Sequence, residues 1–281
     1  MSGRGKYRGS RPRNNYQNFP SVAKEGTASL AADSPVLAMF KNAALKLSER
    51  QDRHERLVKL SRDTTIESKR VIFLLHSAVT KEATGKAVIE AKERLQKLVE
   101  GPIKSIGLEL ENSPLHLHAR AVTAGFQEFI EAKTFCSLME NKTIVTYPEI
   151  QKEFQYDVKE EDGENTRKVV TFLPHMDYML GLADLTGELM RRAINSIASG
   201  NRQESYHACQ VVRHLYSGSL GLYGIGKELS RKTTVMRTNV SKVEGAIYAM
   251  HVRGREAPST LDTAAATWDA HDHHSDDEGF F

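Results

Sequence analysis

Two segments of this 281-residue chain each carry a close pair of carboxylates. The segment AGFQEFIEAKTF contains Glu128 and Glu131, and the segment GLADLTGELMRR contains Asp184 and Glu188. Their spacings place each pair on one face if the segment is helical. Paired carboxylates on one face are typical ligands for a hard divalent cation such as Mg²⁺ or Mn²⁺.

The first pair also falls within an apolar stripe of its helix. Residues recur on this stripe every three or four positions: Leu117, Ala121, Ala124, Glu128, Glu131 and Phe135. Such a stripe faces the core, where an ionised carboxylate is costly unless a cation offsets its charge. The two pairs together therefore predict a metal centre with four ligands, Glu128, Glu131, Asp184 and Glu188.

A simpler interpretation is that the acids are solvated or paired with nearby bases. Lys133, Arg191 and Arg192 are close enough in sequence to serve as partners. However, Asp184 and Glu188 belong to a segment that is apolar on most sides, which is typical of a buried helix. A buried acid needs a reason, so the sequence favours the metal centre without excluding ion pairs.

Helix signals extend over most of the chain. Ser34-Pro35 predicts a helix start, and no glycine or proline follows before Val79. Gly101-Pro102 predicts a kink or stop in the next helix, and residues 157–168 are predicted to be a charged loop. No segment has a convincing strand alternation. The pattern predicts an all-α fold, a bundle of about seven helices.

The two ends of the chain differ from its body. Residues 1–33 are rich in small and polar residues, with five basic residues and no acid in the first thirteen. Residues 257–281 contain six acidic residues and no lysine or arginine. Such segments bury too little apolar surface to fold. The predicted organisation is a disordered basic tail, 1–33, a helical domain, 34–256, and a disordered acidic tail, 257–281.

Composition limits the class of protein further. The net charge of +3 is small, so no strong overall attraction to nucleic acid is expected. Cys136 and Cys209 form no metal or disulfide motif, which favours a reducing intracellular compartment. There is no apolar signal segment and no run long enough to span a membrane. The basic N-terminal segment fits a nuclear localisation signal, a nucleic-acid arm or a merely solubilising tail. We expect the protein in the cytoplasm and the nucleus.

Four stretches of the sequence carry a family resemblance. They are ERLVKLSRDTTIESKRVIFLLH (55–76), AGFQEFIEA (124–132), DYMLGLADLTGELMRRAINS (177–196) and KVEGAIYAMHVRG (242–254). Their order and spacing resemble the X-type members of the translin family from about residue 34 to residue 254. The ADLTGELMR stretch is the most specific of these signals, whereas the two tails match nothing in particular.

The resemblance implies a function and a partner. It implies a translin-type seven-helix fold and a hetero-oligomer with translin, an octameric barrel. It implies an Mg²⁺-dependent endoribonuclease that cleaves single-stranded RNA, with roles in passenger-strand removal and RISC activation and in tRNA processing. By motif match, the catalytic acids of the X-type subunit fall on Glu128, Glu131 and Asp184, and Glu188 is a fourth metal ligand.

Substrate RNA would need cations near the acids. The first long helix offers five candidates, Arg56, Lys59, Arg62, Lys69 and Arg70. Two other functions remain open. A non-catalytic helical scaffold that binds RNA or protein would use the acids in ion pairs. A di-iron bundle would require Glu-x-x-His motifs, and neither Glu128 nor Glu188 has a histidine three residues on.

The apolar residues near the predicted site also favour a partner protein. They point in several directions, and we expect some of them to lie in a subunit interface. These residues are Leu57, Leu60, Val71, Phe73, Leu74, Leu75, Met179, Leu180, Leu182 and Met190.

Overall fold

The computed structural model describes residues 34–111, 113–159 and 165–253. The predicted tails at 1–33 and 257–281 lie outside these ranges. The chain divides into two compact units, with the boundary between Arg53 and His54. The described part of the first unit is helical apart from its first residue, Ser34, and the second unit contains the remaining elements.

The described chain is built almost entirely from helices. In chain order they are α1 Pro35–Ser77, α2 Lys81–Leu98, α3 Lys104–Leu110, α4 Ala119–Asn141, α5 Tyr147–Glu153, α6 His175–Ala198, α7 Arg202–Leu220 and α8 Lys227–Arg253. Because α2 continues into α3 without a break, these make seven helical rods, as the sequence predicted. None of the helices described is long and apolar enough to cross a membrane.

The helix starts follow from local chemistry. α1 begins at Pro35 as predicted, with the Ala38 amide donating to the Ser34 carbonyl at 3.1 Å. At Gly101-Pro102 the helix neither stops nor breaks, because a π-helical turn, Val99–Ile103, joins α2 to α3. Proline has no amide hydrogen to donate, and a widened turn accommodates that loss without ending the helix.

The charged loop predicted at 157–168 was wrong in part. Strand β1, Gln155–Lys159, pairs antiparallel with β2, Thr166–Val170, so that Gln155 lies opposite Val170. β1 alternates exposed and half-buried residues, and in β2 only Val169 is buried. Strands with so little buried surface carry a weak apolar alternation, which is why the sequence did not reveal them.

The core lies along α4 and α6. α6 packs against α4, α7 and α8, and α4 also packs against α2. The largest fully buried side chains include three on α4, namely Phe126, Phe129 and Phe135. α4 therefore presents a broad apolar face to the core.

The stripe predicted on α4 was only partly right. Ala121, Glu131 and Phe135 are buried, but Leu117 is 40% exposed and Ala124 is also exposed. The buried face of α4 is wider than the predicted stripe because it includes the phenylalanines. The stripe therefore follows only one edge of that face. Glu128 is half-buried at that edge.

Two glycines allow close approach of the helices that form the site. A Cβ on Gly125 of α4 would lie 2.9 Å from the Ser61 carbonyl oxygen of α1. A Cβ on Gly181 of α6 would lie 2.7 Å from the Ile130 Cβ of α4. Contacts this short are not tolerated, so both positions depend on the absence of a side chain.

Most of the ten apolar residues among which we expected some to face a partner belong to the core. Leu57, Val71 and Leu75 on α1 are fully buried. Leu180 and Leu182 on α6 are nearly so. One bundle covers them because α1 contacts the core over several turns. Leu60, Leu74, Met179 and Met190 are partly buried. Phe73 is the exception, since it is 76% exposed.

Candidate metal centre

Packing of α4 on α6 brings the two carboxylate pairs together. Glu131 is only 8% exposed, and Glu128, Asp184 and Glu188 are half-buried around it. All four predicted ligands thus belong to one cluster, formed by residues that are more than 50 positions apart in the sequence.

Glu131 lies at the centre of the cluster. Burial, together with the charges of Glu128, Asp184 and Glu188, raises the pKa of its carboxyl from 4.5 to about 9, against the opposing effect of Lys232. Among the described residues, Glu131 has no hydrogen-bond or ion-pair partner. Without a bound metal ion, the Glu131 carboxyl is therefore neutral at pH 7.

Two of the other acids face lysines from other helices. Glu128 Oε1 lies 3.3 Å from Lys69 Nζ of α1, and Asp184 accepts a hydrogen bond from Lys232 of α8. Burial raises the pKa of Glu128, and Lys69 only partly opposes that change. α1, which precedes α4 in the chain, and α8, which follows α6, thus each contribute a lysine to the cluster.

Glu188 is held by a histidine. His76 Nε2, near the end of α1, lies 2.6 Å from Glu188 Oε2, and Arg191 is 3.8 Å from the same oxygen. The His76 ring also packs on Phe135, with ring centres 4.8 Å apart. Burial alone would raise the pKa of Glu188, but the hydrogen bond to His76 and the charge of Arg191 outweigh burial and lower it.

A pocket of about 390 Å³, which we call the acidic pocket, opens onto three acids of the cluster, Glu128, Glu131 and Glu188. Its lining residues are Lys69, Ile72, Phe73, His76, Glu128, Glu131, Glu188 and Arg191. Within the described chain, no three histidine, cysteine or acidic side chains are arranged as metal ligands. The reason is visible in the contacts, since three of the four acids are oriented towards basic side chains.

The residue types nevertheless fit a hard divalent cation. Glu131 is buried without a donor, and the other carboxylates raise its pKa, so a cation between them would relieve both effects. Mg²⁺ prefers carboxylate oxygens and retains several waters, which an open pocket permits. Glu128, Glu131, Asp184 and Glu188 are the residues that would hold it.

The five predicted RNA-binding cations do not share one location. Lys69 lines the acidic pocket, and Arg70 lines an adjoining pocket while pairing with Glu67 at 3.2 Å. Arg56 instead forms a two-bond contact with Glu109, at 2.7 and 3.0 Å. Lys59 and Arg62 are exposed and line neither of these two pockets.

Sequence reasoning missed two members of the site and misjudged two bases. His76 and Lys232 contact the acids from helices distant in sequence, so no spacing rule could identify them. Of the neighbouring bases, Arg191 does contact Glu188, but Lys133 pairs with Glu153 at 2.8 Å. Arg192 donates to the Ala78 carbonyl at 3.3 Å.

Glu131→Gln is expected to stabilise the metal-free protein between about pH 5 and 9. A carboxyl whose pKa is raised on folding loses stability as pH rises from its unfolded pKa to its folded pKa. Glutamine keeps the shape without that loss, so we expect Tm to rise by at least about 2 °C at pH 8. Thermal unfolding with a chelator present measures this, and near pH 4 the two proteins should unfold together. Equal Tm values at both pH values would contradict the prediction.

Comparison with known proteins places the chain in a family. Residues 52–254 match the Translin family. The chain is 35% identical over 259 residues to the Translin-associated protein X of Rattus norvegicus, covering 88% of this chain and 89% of the relative. It is 29% identical over 221 residues to the Translin-associated protein X homolog of Schizosaccharomyces pombe, with 76% and 86% covered.

Solved structures share the fold. The AfC3PO–duplex RNA complex aligns with a TM-score of 0.58 and 18% identity, covering 77% of this chain and 98% of that chain. Apo-NeC3PO aligns with a TM-score of 0.53 and 17% identity, with 77% and 96% covered. The match over residues 52–254, together with the identity to X-type relatives, shows that this chain belongs to the translin family.

Proposed function

We propose that this chain is the catalytic subunit of an Mg²⁺-dependent endoribonuclease that cleaves single-stranded RNA in a complex with translin. The observation that carries the proposal is the cluster of four carboxylates around buried Glu131. Similarity to Translin-associated protein X, and to a fold solved with duplex RNA, supports RNA as the ligand.

Mg²⁺ or Mn²⁺ bound by the four acids would activate a water molecule and stabilise charge on the scissile phosphate. For this the chain must release its own cations from the acids. Lys69 can leave Glu128 and Lys232 can leave Asp184 by simple side-chain rotation, because both lysines are on flexible stems. Once released, each is positioned to hold a phosphate oxygen. Glu131 would be deprotonated with the metal bound, because the cation would offset the neighbouring carboxylate charges that raise its pKa.

The partner is proposed to be translin itself. The chain is 26% identical to Translin of Homo sapiens over 139 residues, covering 50% of this chain and 57% of that relative. Subunits that share a fold can contact one another through equivalent surfaces in one closed assembly. We propose that this assembly is a hetero-octameric barrel. In the cell the proposed roles are passenger-strand removal, RISC activation and tRNA processing, in the cytoplasm and the nucleus.

A cleavage assay on single-stranded RNA tests the proposal. It compares this chain alone, translin alone and their mixture, each with Mg²⁺ and with a chelator. We expect cleavage only by the mixture with Mg²⁺. Cleavage by translin alone at the same rate would remove the catalytic role from this chain, and cleavage in chelator would remove the metal.

The second candidate function is a non-catalytic scaffold that binds RNA or protein. It is favoured by the ion pairs of Glu128, Asp184 and Glu188, which resemble structural contacts. A scaffold needs no metal. In the same assay it predicts RNA binding by the mixture, without Mg²⁺-dependent cleavage under any condition.

The isolated chain is expected to self-associate and to become monodisperse with translin. Large apolar side chains remain exposed on α2 and α8, including Ile89, Val235 and Val252. Such side chains favour association with another surface. Light scattering at micromolar concentration, with and without translin, measures this. A stable, monodisperse monomer with full nuclease activity would contradict the prediction.

A further inference from the structure

Phe73 is an exposed aromatic residue on an otherwise well-buried stretch of α1. Its side chain is 76% exposed, whereas Val71, Ile72 and Leu75 are buried. Neither the metal centre nor the hydrophobic core accounts for this position. A ring held in solvent on a rigid helix provides a flat surface that is already in place before any ligand binds.

The Phe73 ring separates two pockets of different charge. On one side is the acidic pocket described above, which Phe73 and Lys69 help to line. On the other side is a pocket of about 420 Å³. Its lining residues are Lys69, Arg70, Phe73, Leu74, Ser77 and Arg94. The second pocket contains no acid, so we call it the basic pocket.

This arrangement matches what binds a single nucleic-acid strand. Proteins bind such strands by combining cations along the backbone with aromatic rings on which bases stack. Here a ring lies between a basic pocket and a cluster of acids suited to phosphate chemistry. A nucleic-acid strand crossing Phe73 would place one phosphate beside the basic side chains and the next phosphate beside the acids.

We infer that Phe73 is a stacking platform for one base of single-stranded RNA. The nucleotide on the ring is the neighbour of the scissile phosphate, and Lys69, Arg70 and Arg94 hold the phosphate on its other side. This inference rests on the proposed function. Because stacking strength increases with the size of the base, the platform favours a purine at this position.

The cations of the basic pocket are available to a phosphate despite their present partners. Arg70 pairs with Glu67 at 3.2 Å, and Arg94 pairs with Glu67 at 3.1 Å and Glu90 at 2.7 Å. The pairs Arg70–Glu67 and Arg94–Glu90 are exposed, and exposed pairs contribute little to stability, whereas Arg94–Glu67 is partly buried. A phosphate accepts several charge-assisted hydrogen bonds from arginine, so it can replace a shared carboxylate.

Two substitutions separate stacking from mere apolar contact. Phe73→Leu removes the ring but keeps an apolar side chain, and Phe73→Trp keeps a larger ring. Tyr248→Leu on α8 is the matched control, since Tyr248 is 70% exposed and lines neither pocket. All variants are assembled with translin, and binding of a short single-stranded RNA is measured with the metal chelated. We expect Phe73→Leu to weaken binding roughly 5- to 150-fold, and Phe73→Trp and Tyr248→Leu to bind like the unchanged complex.

RNAs with a single abasic site, moved one position at a time, locate the base. The unchanged complex should lose affinity at one position where Phe73→Leu loses none, since the two changes remove the same contact. Unaltered binding by Phe73→Leu would overturn the inference. Failure of Phe73→Leu to assemble with translin would also overturn it, because the ring would then belong to a subunit interface. If the unchanged complex binds RNA through Phe73 but does not cleave it with Mg²⁺, the proposed function fails while the platform stands.

Discussion

Glu131→Gln is expected to abolish RNA cleavage by the assembled complex while leaving the fold intact. Glutamine has the shape of the neutral carboxyl that burial favours, so the core around it need not change. It cannot become the anion that a hard divalent cation requires. Cleavage of single-stranded RNA with Mg²⁺ should fall roughly 100-fold or more. The measurement is a single-turnover rate, with circular dichroism on the same sample.

A matched control comes from the same helix. Glu140 is an exposed carboxylate on α4 that pairs with Lys92 at 2.9 Å, outside the acidic pocket. Glu140→Gln should cleave RNA at the unchanged rate. A Glu131→Gln complex that retained normal cleavage with a normal spectrum would remove Glu131 from the catalytic machinery.

Asp184→Asn is expected to reduce the same activity and to weaken metal binding. The amide keeps the shape and can still accept from Lys232, but it lacks the charge that attracts the metal. We expect Mn²⁺ affinity to fall roughly 10- to 100-fold. Calorimetric titration of the assembled complex measures this independently of cleavage.

Asp177→Asn serves as the comparison for Asp184→Asn. Asp177 is a buried acid on the same helix, but its carboxylate is held by Thr123 and Gln127. Its charge is not among those that raise the pKa of Glu131, whereas that of Asp184 is, so Asp177→Asn should leave Mn²⁺ affinity unchanged. Equal Mn²⁺ affinities for Asp184→Asn and the unchanged complex would show that Asp184 does not contact the metal.

The sequence predicted the helices because their signals are local. Pro35 begins α1, and the long interval without glycine or proline that follows contains one helix. The π-helical turn at Pro102 was not predicted, since whether proline breaks or only widens a helix depends on the packing around it. The hairpin was missed because its stability comes from pairing between strands, not from either segment alone.

The acids of the site were equally accessible to sequence reasoning, whereas two of their partners, His76 and Lys232, were not. Glu128 and Glu131 share a helix face, which fixes their proximity before any tertiary structure forms. His76 and Glu188 are 112 residues apart, and their contact exists only because α1 packs beside α6. Burial of Glu131, by contrast, was predicted, because the residue lies on the apolar stripe of α4.

Gly125 and Gly181 have a consequence for judging related proteins. Each carries a hydrogen atom where any other residue would place a carbon, and that space is already filled by the neighbouring helix. Alanine at position 181 would force α6 away from α4, and the two carboxylate pairs would separate with them. Alanine at position 125 would force α4 away from α1, which carries Lys69 and His76. A relative can therefore retain every acid and still have lost the centre. The presence of the acids shows which ligands a relative has, whereas a glycine at position 181 shows whether those ligands can meet.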